Sequence, residues 1–399
     1  MKTKILSLLL AVAMLLSLCA CGGSGTETTT TTEEIAATDP TEAVVQAVTV
    51  TDMVGRQVEI LPGSYKRVVC IGAGALRMFS YIGDVQLLCG VEDIDNVALP
   101  ERPQMFDSVA RPYLMANEQE LTALPSCGVG GPMAQAAEAE KILACTPDLV
   151  ISEFEDADKS TALQEQLGVP VITLSSGPDG VFDEIFWNSL KLLGQVLGQQ
   201  ERAEYLVSYI QDQAAQITEL TANVAPEDQP KVYICGLGNW GTTNHLMTAQ
   251  DYAPFKIANI QNAVQDLGLS GVQQIEEEKF VELGSDMDVI IVDAAAVKNI
   301  TPLYAEDPGM FDTCKAWTEG EVYLQMAYNA YYTNYEIALA NTWFIAKVVY
   351  PELFADVDMV EKTNEITAAF LNQLLAEQIF AYPSSFGGYQ KINTNGFFG

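Results

Sequence analysis

The stretch Arg67-Val68-Val69-Cys70-Ile71-Gly72-Ala73-Gly74-Ala75-Leu76-Arg77 decides the fold. Its first part is a continuous apolar run, the kind that lies buried on both faces of a parallel sheet. Gly72-Ala73-Gly74 breaks the run, residues 75–82 carry apolar side chains at helical spacing, and Leu87-Leu88-Cys89-Gly90-Val91 reads as a second strand. Strand, helix, strand is a βαβ unit. Toward the N-terminus, Val48-Thr49-Val50-Thr51-Asp52 and Gln57-Val58-Glu59-Ile60 alternate around Met53-Val54-Gly55-Arg56, which predicts a β-hairpin. Toward the C-terminus, a helix over 137–144 and strands over 148–151 and 169–174 complete a lobe that ends near Ser176.

Between 181 and 222 only Gly194 and Gly198 interrupt a helical pattern. Phe186, Leu190, Leu193, Val196 and Leu197 form one stripe, continued by Tyr205, Tyr209 and Ile217, so the segment reads as one long rigid connector helix, with a break near Gly198 as the alternative. The pattern then repeats, with a strand over 231–235, a helical stretch over 263–267, a strand over 289–292 and mostly helix from Asn334 onward. Glu140-Lys141-Ile142-Leu143 before Asp148-Leu149-Val150-Ile151 is echoed by Glu278-Lys279-Phe280-Val281 before Asp288-Val289-Ile290-Ile291. The expected fold is α/β, two Rossmann-like lobes joined by a single long helix. Residues 48–178 form the first lobe, 179–224 the helix and 225–399 the second lobe with terminal helices.

The N-terminus predicts an address. Lys2 and Lys4 precede an apolar run over 5–18 that is too short for a spanning helix. Leu18-Cys19-Ala20-Cys21 resembles a lipobox, making 1–20 a signal peptide and Cys21 the lipidated residue; an ordinary signal cleaved after Ala20 is the alternative. Residues 21–47, rich in Gly, Ser, Thr, Glu and Ala, bury too little to fold and read as a stalk spanning roughly 25–30 Å. The expected location is the extracytoplasmic face of the cell membrane, held by lipid.

A net charge of −33 argues against nucleic acid and against a polybasic grip on anionic lipid; it reads as a solvated surface, with attraction of cationic ligands as the alternative. Beyond Cys19 and Cys21, Cys70, Cys89 and Cys235 lie in strand-like runs and Cys145 at a helix-to-strand junction, with Cys127 and Cys314 the candidates for exposure. No CxxC pair supports a zinc site. One histidine and no Ser/His/Asp arrangement give catalysis no support, so neither an enzyme nor a cofactor is expected. Gly72-Ala73-Gly74 with Glu92 some twenty residues on is most of a dinucleotide fingerprint, yet Arg77 stands at the third glycine position. A strand-to-helix turn that needs small residues is the better reading.

Thr51-Asp52-Met53-Val54-Gly55-Arg56, Arg67-Val68-Val69, Ala75-Leu76-Arg77, Ile82-Gly83 and the 140–151 segment, with the lipobox and connector, resemble the metal-chelate-binding proteins of ABC importers. These receive iron–siderophores, haem or cobalamin. Ala110-Arg111-Pro112-Tyr113 and Gly130-Gly131-Pro132 are similar to the iron-siderophore branch. The resemblance implies a ligand cleft between lobes, modest lobe closure, and a ferric siderophore or similar metal chelate delivered to a permease dimer with its ATPase. A corrinoid or haem is the alternative ligand, and an exported enzyme or a scaffold the alternative class. In the first lobe it implicates Ala73, Leu76, Arg77, Tyr113 and Met133, with Arg77 either pairing an anionic chelate or lying on the surface. In the second lobe it implicates Asn239, Trp240, Asn244 and His245, and the dense patch Tyr328, Asn329, Tyr331 and Tyr332. His245 is either a metal ligand or a hydrogen-bonding loop residue. Glu140 and Glu278 are the implied permease-docking acids, their alternative role being stabilisation of helix starts.

Overall fold

The computed structural model describes residues 46–131, 134, 136–238 and 244–398. The expected hairpin is β1 (Val48–Thr51) and β2 (Gln57–Ile60), antiparallel, with Val50, Val58 and Ile60 turned inward. Asp52 makes its turn: Oδ1 accepts from the N–H groups of Val54 (3.2 Å) and Arg56 (2.9 Å), and Oδ2 pairs with the Arg56 guanidinium. The first sheet follows in the order β5-β4-β3-β6-β7, all parallel. Its elements are β3 (Val68–Ile71), α1 (Ala75–Ile82), β4 (Leu88–Glu92), α2 (Pro112–Thr122), β5 (Ser126–Gly128), α3 (Ala139–Ala144), β6 (Leu149–Ser152), α4 (Ala157–Leu167) and β7 (Val171–Thr173). Every residue of β3, β4 and β6 is buried, as the unbroken apolar runs require.

The connector differs from the expected single helix over 179–224. It is two helices, α5 (Glu184–Leu197) and α6 (Gln200–Thr221). Gly198 ends α5 in the left-handed region (φ 67°), and the Gln199 N–H bonds back to the Gly194 carbonyl at 2.7 Å, the closing bond of a Schellman turn. The stripe from Phe186 to Leu197 is buried, with Phe186 reaching α11, and the 22-residue α6 completes the connector.

The second lobe contains β8 (Lys231–Cys235), β9 (Met247–Ala249), α7 (Ala253–Ile257), β10 (Gln261–Asn262), β11 (Val272–Gln274), α8 (Glu277–Gly284), β12 (Val289–Asp293), α9 (Val297–Glu306), α10 (Lys315–Glu319) and β13 (Val322–Gln325). After β13 come α11 (Tyr335–Val349), α12 (Met359–Leu371), α13 (Ala376–Ala381), β14 (Gln390–Lys391) and α14 (Thr394–Phe397). The sheet runs β10-β8-β12-β13-β14, with only β14 antiparallel, and β9 and β11 form a separate ribbon. The expected helix over 263–267 is a series of turns after β10. Its short apolar run, only Ala263, Val264 and Leu267, is too small for a helical face. Cys127 and Cys314 are fully buried rather than exposed, and all six described thiols are free. Among the described residues no helix is long and apolar enough to cross a membrane.

One hydrophobic core runs through both lobes and both connector helices. Phe186 of α5 stacks on Tyr335 of α11 (centroids 3.8 Å, 13°), and Tyr81 of α1 meets Tyr335 and Phe370 edge-on. Arg202, at the start of α6, locks the junction. Its Nε donates to the Tyr81 carbonyl at 2.8 Å, and its Nη2 donates to the carbonyls of Ala369 (2.6 Å) and Phe370 (2.8 Å). Replacing it leaves three carbonyls without a donor. Arg202→Ala is therefore expected to lower unfolding free energy by about 2–3 kcal/mol in a urea titration.

Candidate functional site

Loops at the C-terminal ends of the parallel strands of both lobes converge on one place. From the first lobe come Gly72–Gly74 after β3, Glu92 at the end of β4, residues 129–131 after β5, Glu153 after β6 and Ser176 after β7. From the second come Asp293 at the end of β12 and residues 326–334 after β13. Parallel sheets place ligands at this edge.

The 326–334 segment ends in a tight tip. Asn329 and Thr333 bridge, the Asn334 N–H bonds to the Tyr328 carbonyl at 2.7 Å, and Tyr331 and Tyr332 both hold left-handed backbone (φ 50° and 72°). Two such residues in succession cost energy unless the surroundings impose them. Arg77 imposes them from the other lobe. Its guanidinium donates to the carbonyls of Ala330 (2.6 Å) and Tyr331 (2.9 Å) and to Asn334 Oδ1 (3.1 Å). The Tyr331 hydroxyl donates to Glu92 Oε2 at 2.8 Å and accepts from the Gly131 N–H at 3.0 Å. Asn334 Nδ2 donates to the Ala110 carbonyl at 2.9 Å.

Arg77 is thus neither a surface arginine nor a cation open to a ligand; it is fully buried and committed to backbone. The reason is its place in the first turn of α1, beneath the tip that crosses from the second lobe. Tyr113 supports it, ring face 4.7 Å from the guanidinium carbon, while the Tyr113 hydroxyl donates to Asp95 Oδ1 at 2.7 Å. Arg111 pairs with the same Asp95 oxygen at 2.8 Å. Leu76 and Tyr331 are likewise buried. Ala73, Tyr328, Asn329 and Asn244 keep partial exposure, and Tyr332 is 40% exposed. Asn329 Nδ2 donates to the Gly238 carbonyl at 3.3 Å, and Asn244 Nδ2 to Gln274 Oε1 at 3.2 Å. Met133, Asn239, Trp240 and Cys21 lie outside the described residues.

His245 does not reach this edge. Its ring is buried between Phe280 (5.0 Å) and Phe311 (5.4 Å) in the second lobe's own core, and neither nitrogen has a hydrogen-bond partner among the described residues. Desolvation holds its pKa down at about 4. Among the described residues no group of three or more His, Cys, Asp or Glu is placed to hold a metal ion. Glu140 and Glu278 are exposed in the first turns of α3 and α8, helices that precede the interior strands β6 and β12.

The buried carboxyls were the part that sequence reasoning missed. Burial pushes Glu92 and Glu153 each up to about 8 and Asp293 up to about 7. Ser176 Oγ donates to Glu153 Oε1, while Glu153 Oε2 is closed off from solvent without a partner. A Cβ at Gly74 would clash with that Oε2, so the glycine turn makes room for the chain's own carboxyl where a dinucleotide site would seat phosphate. The available signal was positional: an acid at or just past the end of an otherwise apolar strand, as in Val289-Ile290-Ile291-Val292-Asp293.

Residues 111–312 match the family described as periplasmic binding protein. No curated protein sequence matches the chain. Solved structures share its fold. A periplasmic solute binding protein from Veillonella parvula is 18% identical with a TM-score of 0.62, covering 88% of this chain and 98% of its own. Molybdate-bound MolA, of a Haemophilus influenzae ABC transporter, is 17% identical with a TM-score of 0.61, covering 82% and 98%. CeuE of Helicobacter pylori with Ni(II) bound is 16% identical with a TM-score of 0.56, covering 82% and 96%.

Two substitutions test these assignments. Arg77→Met strands the carbonyls of Ala330 and Tyr331 and is expected to cost about 3–5 kcal/mol of stability, read by chemical denaturation. His245 binds a proton more readily unfolded (about 6.5) than folded (about 4), so the wild type loses stability as pH falls through that window. The loss is at most about 1.4 kcal/mol per pH unit. His245→Leu is expected to melt above the wild type at pH 5, with the gap narrowing toward pH 8.

Proposed function

Because the chain belongs to the periplasmic binding protein family, we propose that it captures a ferric siderophore or similar metal chelate between its lobes and hands it to an ABC permease. It is a solute-binding component of an importer rather than an enzyme. The observation that carries the ligand reading is the convergence of strand-end loops from both lobes on the 326–334 tip, where phenols and amides remain partly open. A polar edge with aromatic faces suits a bulky chelate. MolA with molybdate and CeuE with Ni(II) support a metal-containing solute as the class.

In this reading Ala73, Tyr328, Asn329, Tyr332 and Asn244 line the cleft, with Met133, Asn239 and Trp240 as further candidates. Arg77, Tyr331 and Tyr113 hold the lining in place rather than touch the ligand. The core that runs through both lobes supports modest closure. Glu140 and Glu278, one exposed acid on each lobe, are suited to set the docking orientation on the permease dimer electrostatically. Lipidation at Cys21 would hold the protein beside that permease and raise its local concentration.

Calorimetric titration with a ferric trihydroxamate, a ferric catecholate, haem and cobalamin tests the assignment. A ferric complex is expected to bind with a dissociation constant of about 1 μM or tighter, and Tyr332→Ala to weaken it about tenfold. Binding of cobalamin or haem alone would move the ligand to that class. Failure of all four would remove the chelate and leave the fold standing.

A further inference from the structure

The second lobe carries a groove that has no part in the cleft. It has a volume of about 670 Å³ and lies between the end of α11, the turn leading into α12, and the strands β13 and β14. None of its lining residues belongs to the strand-end loops that converge on the 326–334 tip. Four rings form its wall. Tyr389 lies against Phe344 (centroids 4.6 Å, 31°), Phe380 meets Tyr389 edge-on (5.5 Å), and Tyr323 meets Phe344 edge-on (6.5 Å). Phe380 packs on Gly388 (φ 103°), where a Cβ would clash with its ring. Both phenols are engaged elsewhere, Tyr389 with Asn341 Oδ1 and Tyr323 with Glu321 Oε2, each at 2.8 Å, which leaves their rings to the groove. Lys347 lines the same space. It is half-buried, donates to the Phe354 carbonyl at 3.1 Å, and pairs with no carboxylate among the described residues. That is notable in a chain with 53 acids against 20 cations. An ammonium has further N–H groups to give. The other charges on the lining are already placed: Lys391 pairs with Glu321 at 2.7 Å, Asp358 Oδ1 caps α12 through the N–H groups of Val360 and Glu361, and Asp356 is open to solvent.

We propose that this groove is a second ligand site, one for a planar aromatic carboxylate, with the aryl body among the four rings and the carboxylate on Lys347. A charge-assisted hydrogen bond to the half-buried ammonium favours the acid over a neutral amide of the same shape. Ring-on-ring contact favours an aryl body over an alkyl chain. Four rings would also suit a quaternary ammonium, but two lysines on the lining repel one. The volume is that of a small-molecule site with an apolar wall and few polar groups.

Calorimetric titration of the full chain with naphthoate, naphthamide and octanoate tests the site. Naphthoate is expected to bind with a dissociation constant on the order of 100 μM. It should bind about tenfold tighter than naphthamide or octanoate. Lys347→Met should narrow the naphthoate-to-naphthamide ratio to about twofold, and Lys347→Arg should preserve it. Ala355→Trp, at an exposed position on the lining, should fill the groove and block naphthoate in a chain that melts as the wild type does. Tyr332→Ala, at the cleft, should leave naphthoate binding unchanged. Equal affinity for naphthoate and naphthamide, a ratio unaltered in Lys347→Met, or weakening by Tyr332→Ala but not by Ala355→Trp overturns the site. Octanoate binding as tightly as naphthoate overturns the aromatic class. No binding of naphthoate overturns the proposal, and none of these outcomes bears on capture of a metal chelate in the cleft.

Discussion

A buried guanidinium sits at the polar junction between the two halves of this molecule. Arg77 leaves the first turn of α1 and is answered not by a carboxylate but by two carbonyls and an amide oxygen of the second lobe. Taking a charge out of water is tolerable only with several such neighbours, and these are in place only because the 326–334 tip adopts its strained path. Burial of the arginine and strain of the tip are therefore one arrangement. Neither persists without the other. The Tyr331 hydroxyl, seated on Glu92 and the Gly131 N–H, makes the arrangement specific in register.

The interlobe contact is apolar as well as polar. Phe186, Tyr335, Tyr81 and Phe370 continue the core from α5 through α11 to α12, and Arg202 pins the start of the connector to α1 and α12.

The α/β lobes were legible because strands buried on both faces leave continuous apolar runs, and β3, β6, β8 and β12 all do. The stripe through Phe186, Leu190 and Leu193 announced a buried helix and left open whether Gly198 would divide it, since a glycine in a helical pattern is compatible with either outcome. The patch at 328–332 was legible as a dense polar-aromatic segment. The partners within it were not: Arg77 and Tyr331 are buried and bonded to groups 200 or more residues away in sequence. His245 misled for a similar reason. A loop position in sequence said nothing of Phe280 and Phe311 closing over it. Glu153 and Asp293 were hidden by commonness, as acids abound in this chain and only burial distinguishes these two.

The last strand is easily overlooked, being two residues long, yet β14 covers the outer edge of β13 by pairing Lys391 with Tyr323 and Gln390 with Leu324. Without it the second sheet would present a bare row of backbone donors and acceptors, a template for pairing with another copy. The β14 segment thus covers that edge against self-assembly. Loss of its final few turns would show first as sticking together in concentrated solution, before any loss of solute capture.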